Sequence, residues 1–358
     1  MSVTIHFDEK YKAALVQGFD KGSETDGLFD HGLDVEFSGV KTVHVKNLRT
    51  EPLQDYDRTK AVGTGSRYGD TKEVGNEEQT FTMAKDRSLS LSVDKGNNIE
   101  VMDKHKVGAI MKAEMDEHII PEVDTYRLKK WAANAGMHEE LAAAPTTDTI
   151  IGYIVKARNK QRDKGVKGDV SLLIPYEYLD TLQLAKQWVN LDSLGGKTLP
   201  KGTVGQISGM NVLPMSNDRM PANVVFMILH KKSVISPMKI KEFKGHVDPV
   251  GLSGDLIEFR MMYDAFVLGK KADGVLVACA PNTVVKTPTI TMSGKAATIE
   301  TTTSGATVYY TTDGSDPRYS VEAKAYTAAV TLTSGDRLRA YAAKDGMFNS
   351  AVAAKDQA

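Results

Sequence analysis

Residue types that could do chemistry are present in this chain, but their spacing does not assemble a reaction. Gly195-Gly196-Lys197-Thr198 resembles the end of a phosphate-binding loop. Such a loop needs a glycine at position 191, which is Leu191, and no convincing strand leads into it. His138-Glu139-Glu140 lacks the second histidine that a zinc protease requires four residues on. The eight histidines (His6, His31, His44, His105, His118, His138, His230, His246) are scattered and read as surface or satisfied core residues. No Gly-x-Ser-x-Gly elbow occurs, so no nucleophilic serine is marked. Asp313 and Asp316 could be taken for calcium ligands, but in Asp313-Gly314-Ser315-Asp316-Pro317 they fit turn-capping acceptors better. The single cysteine, Cys279, ends the apolar run Val275-Leu276-Val277-Ala278 and reads as a small buried hydrophobe. The expectation is a protein with no catalytic residue, no cofactor site and no metal site.

Composition narrows the class further. The chain has 358 residues, 41% hydrophobic and 25% charged, as in globular proteins of two or three domains. A net charge of −1 carries no electrostatic footprint for nucleic acid. One cysteine excludes a disulfide framework. No apolar run reaches about 18 residues, and the first residues lack a basic start followed by an apolar core, so neither a membrane span nor a signal peptide is expected.

The elements that would hold a function are clearest over residues 79–131. Leu89, Leu91 and Val93 alternate with Ser88, Ser90 and Ser92, the period of a strand with one covered face. A turn is expected at Lys95-Gly96-Asn97-Asn98. From about Asp103, Val107, Met111, Met115 and Ile119 recur every four residues, and the pattern continues through Val123 and Arg127 to Trp131. Pro121 lies inside this helix and should kink it, since it has no N–H and its ring crowds the Glu117 carbonyl. A helix of roughly 30 residues would span about 45 Å, which suits an elongated subunit.

Residues 1–34 read as an arm, with a short helix from Asp8 that pairs Tyr11 with Leu15 and stops at Gly18. The Gly/Asp-rich stretch after it is too polar for its own core and needs another surface to order it. Residues 35–48 alternate like a strand, and 50–78 form a long polar hairpin loop punctuated by Gly63, Gly65, Gly69 and Gly75. Residues 141–285 read as mixed α/β. The pattern gives helices at 148–164 and around Tyr178 to Leu184, a buried strand from Val170 to Pro175, and strands at 205–212, 224–229, 233–237, 256–267 and 274–277. After the linker-like PNTVVKTP at 281–288 the chain turns Thr/Ala/Ser-rich. Short alternating strands at 289–292, 297–301, 307–311, 328–332 and 337–342 read as a small β-sandwich.

Three segments together carry a resemblance. They are Val40–Leu48 with Asp55-Tyr56-Asp57-Arg58 and Ser66-Arg67-Tyr68-Gly69; Asp86–Asp94 with Pro121-Glu122-Val123-Asp124-Thr125-Tyr126-Arg127; and His246–Gly254 leading into Arg260 and Tyr263–Leu268. In order and spacing they resemble major capsid proteins of tailed bacteriophages with the Hong Kong 97-type fold, over about residues 35–279. The resemblance implies an α+β capsid core at 35–280. Within it lie an extended loop at 50–85, a spine helix at 103–135, an axial domain at 145–240 and a peripheral-domain return at 241–280. The arm at 1–34 would be ordered only against neighbouring subunits. The implied partners are the chain itself, as hexamers and pentamers of an icosahedral shell, a portal, a separate scaffolding protein, a possible cementing protein and weakly contacted packaged DNA, with no membrane. The implied location is the virion, assembled in the host bacterial cytoplasm. Lys60, Arg67, Lys72, Glu73, Asp86 and Arg87 are the candidates for inter-subunit ion pairs.

Residues 289–358 resemble the all-β immunoglobulin-like sandwich at the C-termini of chitobiases, through Val308–Pro317, Leu332, Gly335 and Leu338–Ala342. As an external decoration it would offer Tyr309, Tyr310, Tyr319 and Tyr326 as glycan contacts, unless those rings fill its core. Two other classes stay open at this stage. A carbohydrate-active enzyme is disfavoured by having only two tryptophans, Trp131 and Trp188, both in helical patterns. A nucleic-acid binder is disfavoured by the charge.

Overall fold

The computed structural model describes residues 22–30, 36–38, 41–48, 53, 55–60, 66–68, 76–100, 107–185, 203–320, 322–333 and 336–356. The expected helix at Asp8–Gly18 and the Gly195–Thr198 stretch lie outside the described residues.

The main core is a mixed six-stranded sheet. Its order is Met137–Glu140, Val275–Cys279, Val224–His230, Val170–Pro175, Met210–Met215, Gly205–Ile207. Val224–His230 runs apolar on both faces because both are covered. Phe226 and Ile228 meet Ile150, Ile154 and Leu182 from helices Ile150–Asp163 and Tyr176–Gln183, while Met227 and Leu229 meet Leu128 and Trp131 on the opposite side. The expected strand at 205–212 is two strands, turned at Ser208 and Gly209, whose φ angles are 49° and 77°. Residues 275–279 insert between Met137–Glu140 and Val224–His230 of the six-stranded sheet. Their unbroken apolar run fits a position buried on both faces.

A second sheet pairs three ten-residue strands, Met238–Val247, Gly254–Tyr263 and Lys85–Asp94, all antiparallel. The expected alternation holds: Leu89, Leu91 and Val93 are half-buried, and Ser88, Ser90 and Ser92 exposed. The expected strand 256–267 breaks after Tyr263, where Asp264 is buried and accepts hydrogen bonds from Ala84 N, Tyr126 Oη and its neighbour Ala265 N. The turn expected at Lys95 is a short helix, Lys95–Glu100, entered through a Gly96 N–H bond to Asp94 Oδ1.

The long helix bridges both sheets. It runs as Val107–Glu114, a π-helical turn Met115–Ile119, and Ile120–Ala133. The disturbance expected at Pro121 takes the form of this π turn. The Ile120 N–H reaches back five residues to Met115 O just ahead of the proline that has no N–H to give. Met111, Met115, Ile119 and Val123 pack on Leu89, Phe259, Met261 and Tyr263 of the three-stranded sheet. Leu128, Trp131 and Ala132 pack into the six-stranded core. Among the described residues, no helix is long and apolar enough to cross a membrane.

The hairpin root is a third sheet, Glu36–Ser38, Thr42–Leu48 and Asn76–Thr82, with the polar loop between the last two strands. Phe81 stacks on Phe266 at 4.5 Å and ties this root to the body. The C-terminal region forms two facing sheets of three and four strands around Ala297, Ile299, Val308, Leu332, Leu338, Ala340 and Ala342. Lys324–Ala325 and Ala353–Asp356 add strands that the sequence pattern did not mark.

Candidate functional site

Three regions could carry function: the end of the arm, the surface of the hairpin and extended sheet, and the join between body and sandwich. The arm end is built on the helix. Asp124 and Arg127 share a helix face with Leu128 and Trp131, so their charges point inward and are buried. Residues 22–30 supply the partners. Asp124 accepts from Ser23 Oγ (2.9 Å), Glu24 N (2.8 Å), Thr25 Oγ1 and Arg219 Nη1 (2.8 Å). Arg127 donates to Thr25 Oγ1 (3.0 Å), Asp26 Oδ1 (2.9 Å) and Ser236 Oγ (2.9 Å), and its guanidinium lies 4.8 Å from the Phe29 ring centre. Arg219 also donates to Gly22 O, and Glu24 accepts from Ser216 N. Leu28 and Phe29 are buried in the main core. The arm was expected to order only against neighbours. Over residues 22–30 it is a strap fastened to its own chain, because two buried arginines demand the polar groups it carries. Asp124, Arg127 and Arg219 were missed as site residues; the readable signal was charge on the helix face that also carries Leu128 and Trp131.

The predicted contact residues divide. Lys72 and Glu73 lie outside the described residues. Lys60 and Arg67 close the hairpin loop on itself, Arg67 Nε donating to Lys60 O (2.8 Å) and Lys60 Nζ to Ser66 O (3.4 Å), beside an edge-to-face Tyr56–Tyr68 pair. Asp86 and Arg87 pair within the chain. Arg260 grips Asp86 with two hydrogen bonds (3.1 and 2.8 Å), which hold its carboxyl below the usual carboxylate range. Arg87 grips Glu122 on the long helix at 2.8 and 2.9 Å.

Among the described residues the sandwich docks at the helix end and at the edge strand, and Val284, Tyr319 and Phe348 pack on the main core. Just beyond the helix end, Arg318 Nη1 donates to Gly136 O (2.7 Å) and Ala135 O (3.3 Å), and Tyr319 Oη donates to Asn134 O (2.7 Å). These carbonyls sit at the negative end of the helix, where a guanidinium is stabilised. Asp316 holds that guanidinium at 2.6 Å. Only glycine fits at 136, since a Cβ there would lie 2.3 Å from the Ala272 backbone. At the edge strand Met137–Glu140, the His138 ring stacks on Phe348 at 5.2 Å. Glu140 accepts from Lys286 Nζ (2.6 Å) and from the Asn282 N–H. The segment 281–288 is therefore fastened, and it also pairs with Phe348 through Thr283 O and the Val285 N–H.

The four predicted tyrosines do not share a face. Tyr319 is in the docking contact, and Tyr310 meets Tyr326 edge-to-face against the sandwich core. Tyr309 stacks on Tyr341 at 5.5 Å on the sheet face away from the sandwich core, with the half-buried Tyr341 beside Arg318 and Asp316 of the docking contact. Asp313 Oδ1 accepts from Ser315 N at 3.0 Å, the turn-capping role expected of it. Burial pushes the Cys279 thiol up, away from reactivity.

The chitobiase/β-hexosaminidase C-terminal domain family matches residues 287–354, the sandwich. No curated protein matches the chain. Solved structures are similar to much of the chain. The capsid structure of the cyanophage P-SCSP1u is 14% identical with a TM-score of 0.57, covering 77% of this chain and 93% of that one. The mature capsid of bacteriophage PhiM1 is 14% identical with a TM-score of 0.56, covering 76% and 92%. A structure from Mycobacterium phage Che8 is 16% identical with a TM-score of 0.53, covering 78% and 96%. The chain has the fold of phage capsid proteins. On that capsid fold the strap, the paired surface charges and the docked sandwich are all set around one helix.

Proposed function

We propose that this chain is the major capsid protein of a tailed bacteriophage, with a Hong Kong 97-type core and an external immunoglobulin-like sandwich. The observation that carries the reading is coverage: this chain spans 92–93% of two phage capsid chains, and the share left over is about the size of the sandwich. In this reading the chain is structural, not an enzyme. Copies form hexamers and pentamers that close an icosahedral shell around double-stranded DNA. Rotational closure ends growth of each ring. The hairpin loop at 50–85 and the arm before residue 22 supply contact area beyond the subunit's own body. A specific contact needs about 1,000 Å² of buried surface. In this reading Lys60, Arg67, Lys72 and Glu73 are the loop charges that would meet a neighbour. Asp86 and Arg87, already paired within the chain, are the weaker candidates. A portal and a separate scaffolding protein complete assembly, and packaged DNA touches the inner face weakly. Electron microscopy of the purified protein, alone and with a phage lysate lacking it, tests this. Closed shells or capsomer rings are expected in at least one arm, and monomers in both would overturn the reading.

A second reading concerns the sandwich alone. The stacked Tyr309–Tyr341 pair offers ring faces on the outer sheet, suited to weak stacking on a pyranose of a cell-surface glycan. Glycan arrays should show binding that Tyr309→Ala and Tyr341→Ala each reduce; unchanged binding removes the idea.

A further inference from the structure

His138 stands where the body and the sandwich meet, in chemistry that leaves little room for a charge. It lies on the edge strand Met137–Glu140 of the six-stranded sheet. Its Nε2 is 2.7 Å from Ala132 O, a carbonyl acceptor, so Nε2 carries the hydrogen. Nδ1 is buried and approaches the Asn349 backbone without a hydrogen bond of good geometry. One ring face is covered by Phe348 of the sandwich, at 27° between planes.

The charged groups around this ring are already committed. From the sandwich, Arg318 brings a buried positive charge that Asp316 holds in place. On the edge strand, Glu140 is taken by Lys286 and the Asn282 N–H, and Glu139 pairs with Lys160 at 2.8 Å. Strand alternation turns Glu139 toward the opposite face from His138. From the 3-10 turn Gly269–Gly274, Asp273 acts on Arg318. Glu139 Oε2 is buried without a hydrogen-bond partner, but it lies on that opposite face, so no carboxylate in this set faces the ring to balance an imidazolium.

We propose that His138 is an acid-releasable latch: it docks the sandwich through Phe348 while its ring is neutral, and protonation loosens the sandwich from the edge strand Met137–Glu140. Burial supports the direction, pulling the His138 pKa from 6.5 down to about 4. The sign follows from linkage. The docked state binds a proton less readily than the released state. Docking is therefore at full strength above pH 6.5 and weakens as the pH falls toward about 4. At pH 5 the released fraction should rise roughly twenty- to thirtyfold over pH 7.

Amide hydrogen exchange of the full chain, corrected for the intrinsic pH dependence of exchange, tests this on peptides covering 137–141 and 345–350. Wild type should lose protection by roughly that factor between pH 7 and pH 5, while peptides in the strand Val224–His230 stay protected. His138→Phe keeps an aromatic ring against Phe348 and should show no such dependence. Protection that is flat with pH in wild type, or equally acid-sensitive in His138→Phe, overturns the proposal. If that variant does not fold, the His138 ring protons of wild type are followed by NMR. A midpoint near pH 4 coinciding with loss of the docked sandwich signals supports the latch, and ordinary titration near 6.5 with the sandwich still docked overturns it.

Discussion

Two sets of ion pairs hold the same helix, and they work under opposite conditions. Asp124, Arg127 and Arg219 are nearly free of solvent and meet hydrogen bonds from four separate stretches of chain. Asp86–Arg260 and Arg87–Glu122 have comparable distances, but their side chains are between 37% and 57% exposed. Geometry alone would rank them alike. Water separates them: an exposed pair is screened and contributes about 0–1 kcal/mol. A buried charge that loses its partner costs several kcal/mol, because nothing replaces the lost solvation. The buried set therefore fixes which surfaces must meet, while the exposed set only trims the surface.

The sharpest way to break this contrast is Asp124→Ala, which removes the one buried carboxylate that two buried arginines share and leaves them only the more exposed Asp26 and Glu24. Chemical denaturation should register a loss of about 3–5 kcal/mol, and a loss below about 1 kcal/mol would erase the distinction. Thr25→Val removes the hydroxyl that joins Asp124 to Arg127 while keeping the side-chain volume. A cost of about 1–3 kcal/mol is expected, seen first as faster proteolysis within residues 22–30 at unchanged global unfolding. The smallest effect belongs to the surface. A double-mutant cycle on Asp86 and Arg260 should give a coupling of about 0–1 kcal/mol that disappears in 1 M salt. A coupling above about 2 kcal/mol that survives salt would show that exposure is the wrong dividing line.

Periodicity made the larger elements legible. Lys85–Asp94 alternates because one face is covered by the helix, and Val224–His230 does not because both are covered. The helix through Trp131 was visible from its four-residue repeat, whereas the π turn was not. A proline in a helix announces a disturbance but not the backbone pattern that absorbs it. The strap was half legible: its polarity said that it needed a surface, and nothing local said that the surface was its own. Arg318 and His138 were illegible as a docking pair. Each sits in an unremarkable turn or strand, and they come together through contacts such as Arg318 to Gly136, 182 residues apart in sequence. The Asp313 turn, by contrast, depends on a neighbour two residues away and was read correctly.

The reach of the strap also bears on when the subunit can become itself. Gly22 and Arg219 are hydrogen-bonded across 197 residues. Asp124 is made midway between them, so during synthesis the strap residues emerge long before their full set of partners exists. Loop closure over such a distance is slow, and contacts of this kind delay folding rather than nucleate it. The strap can meet Asp124 and Arg127 once the first 127 residues are made, but its lock is complete only after Arg219 has followed.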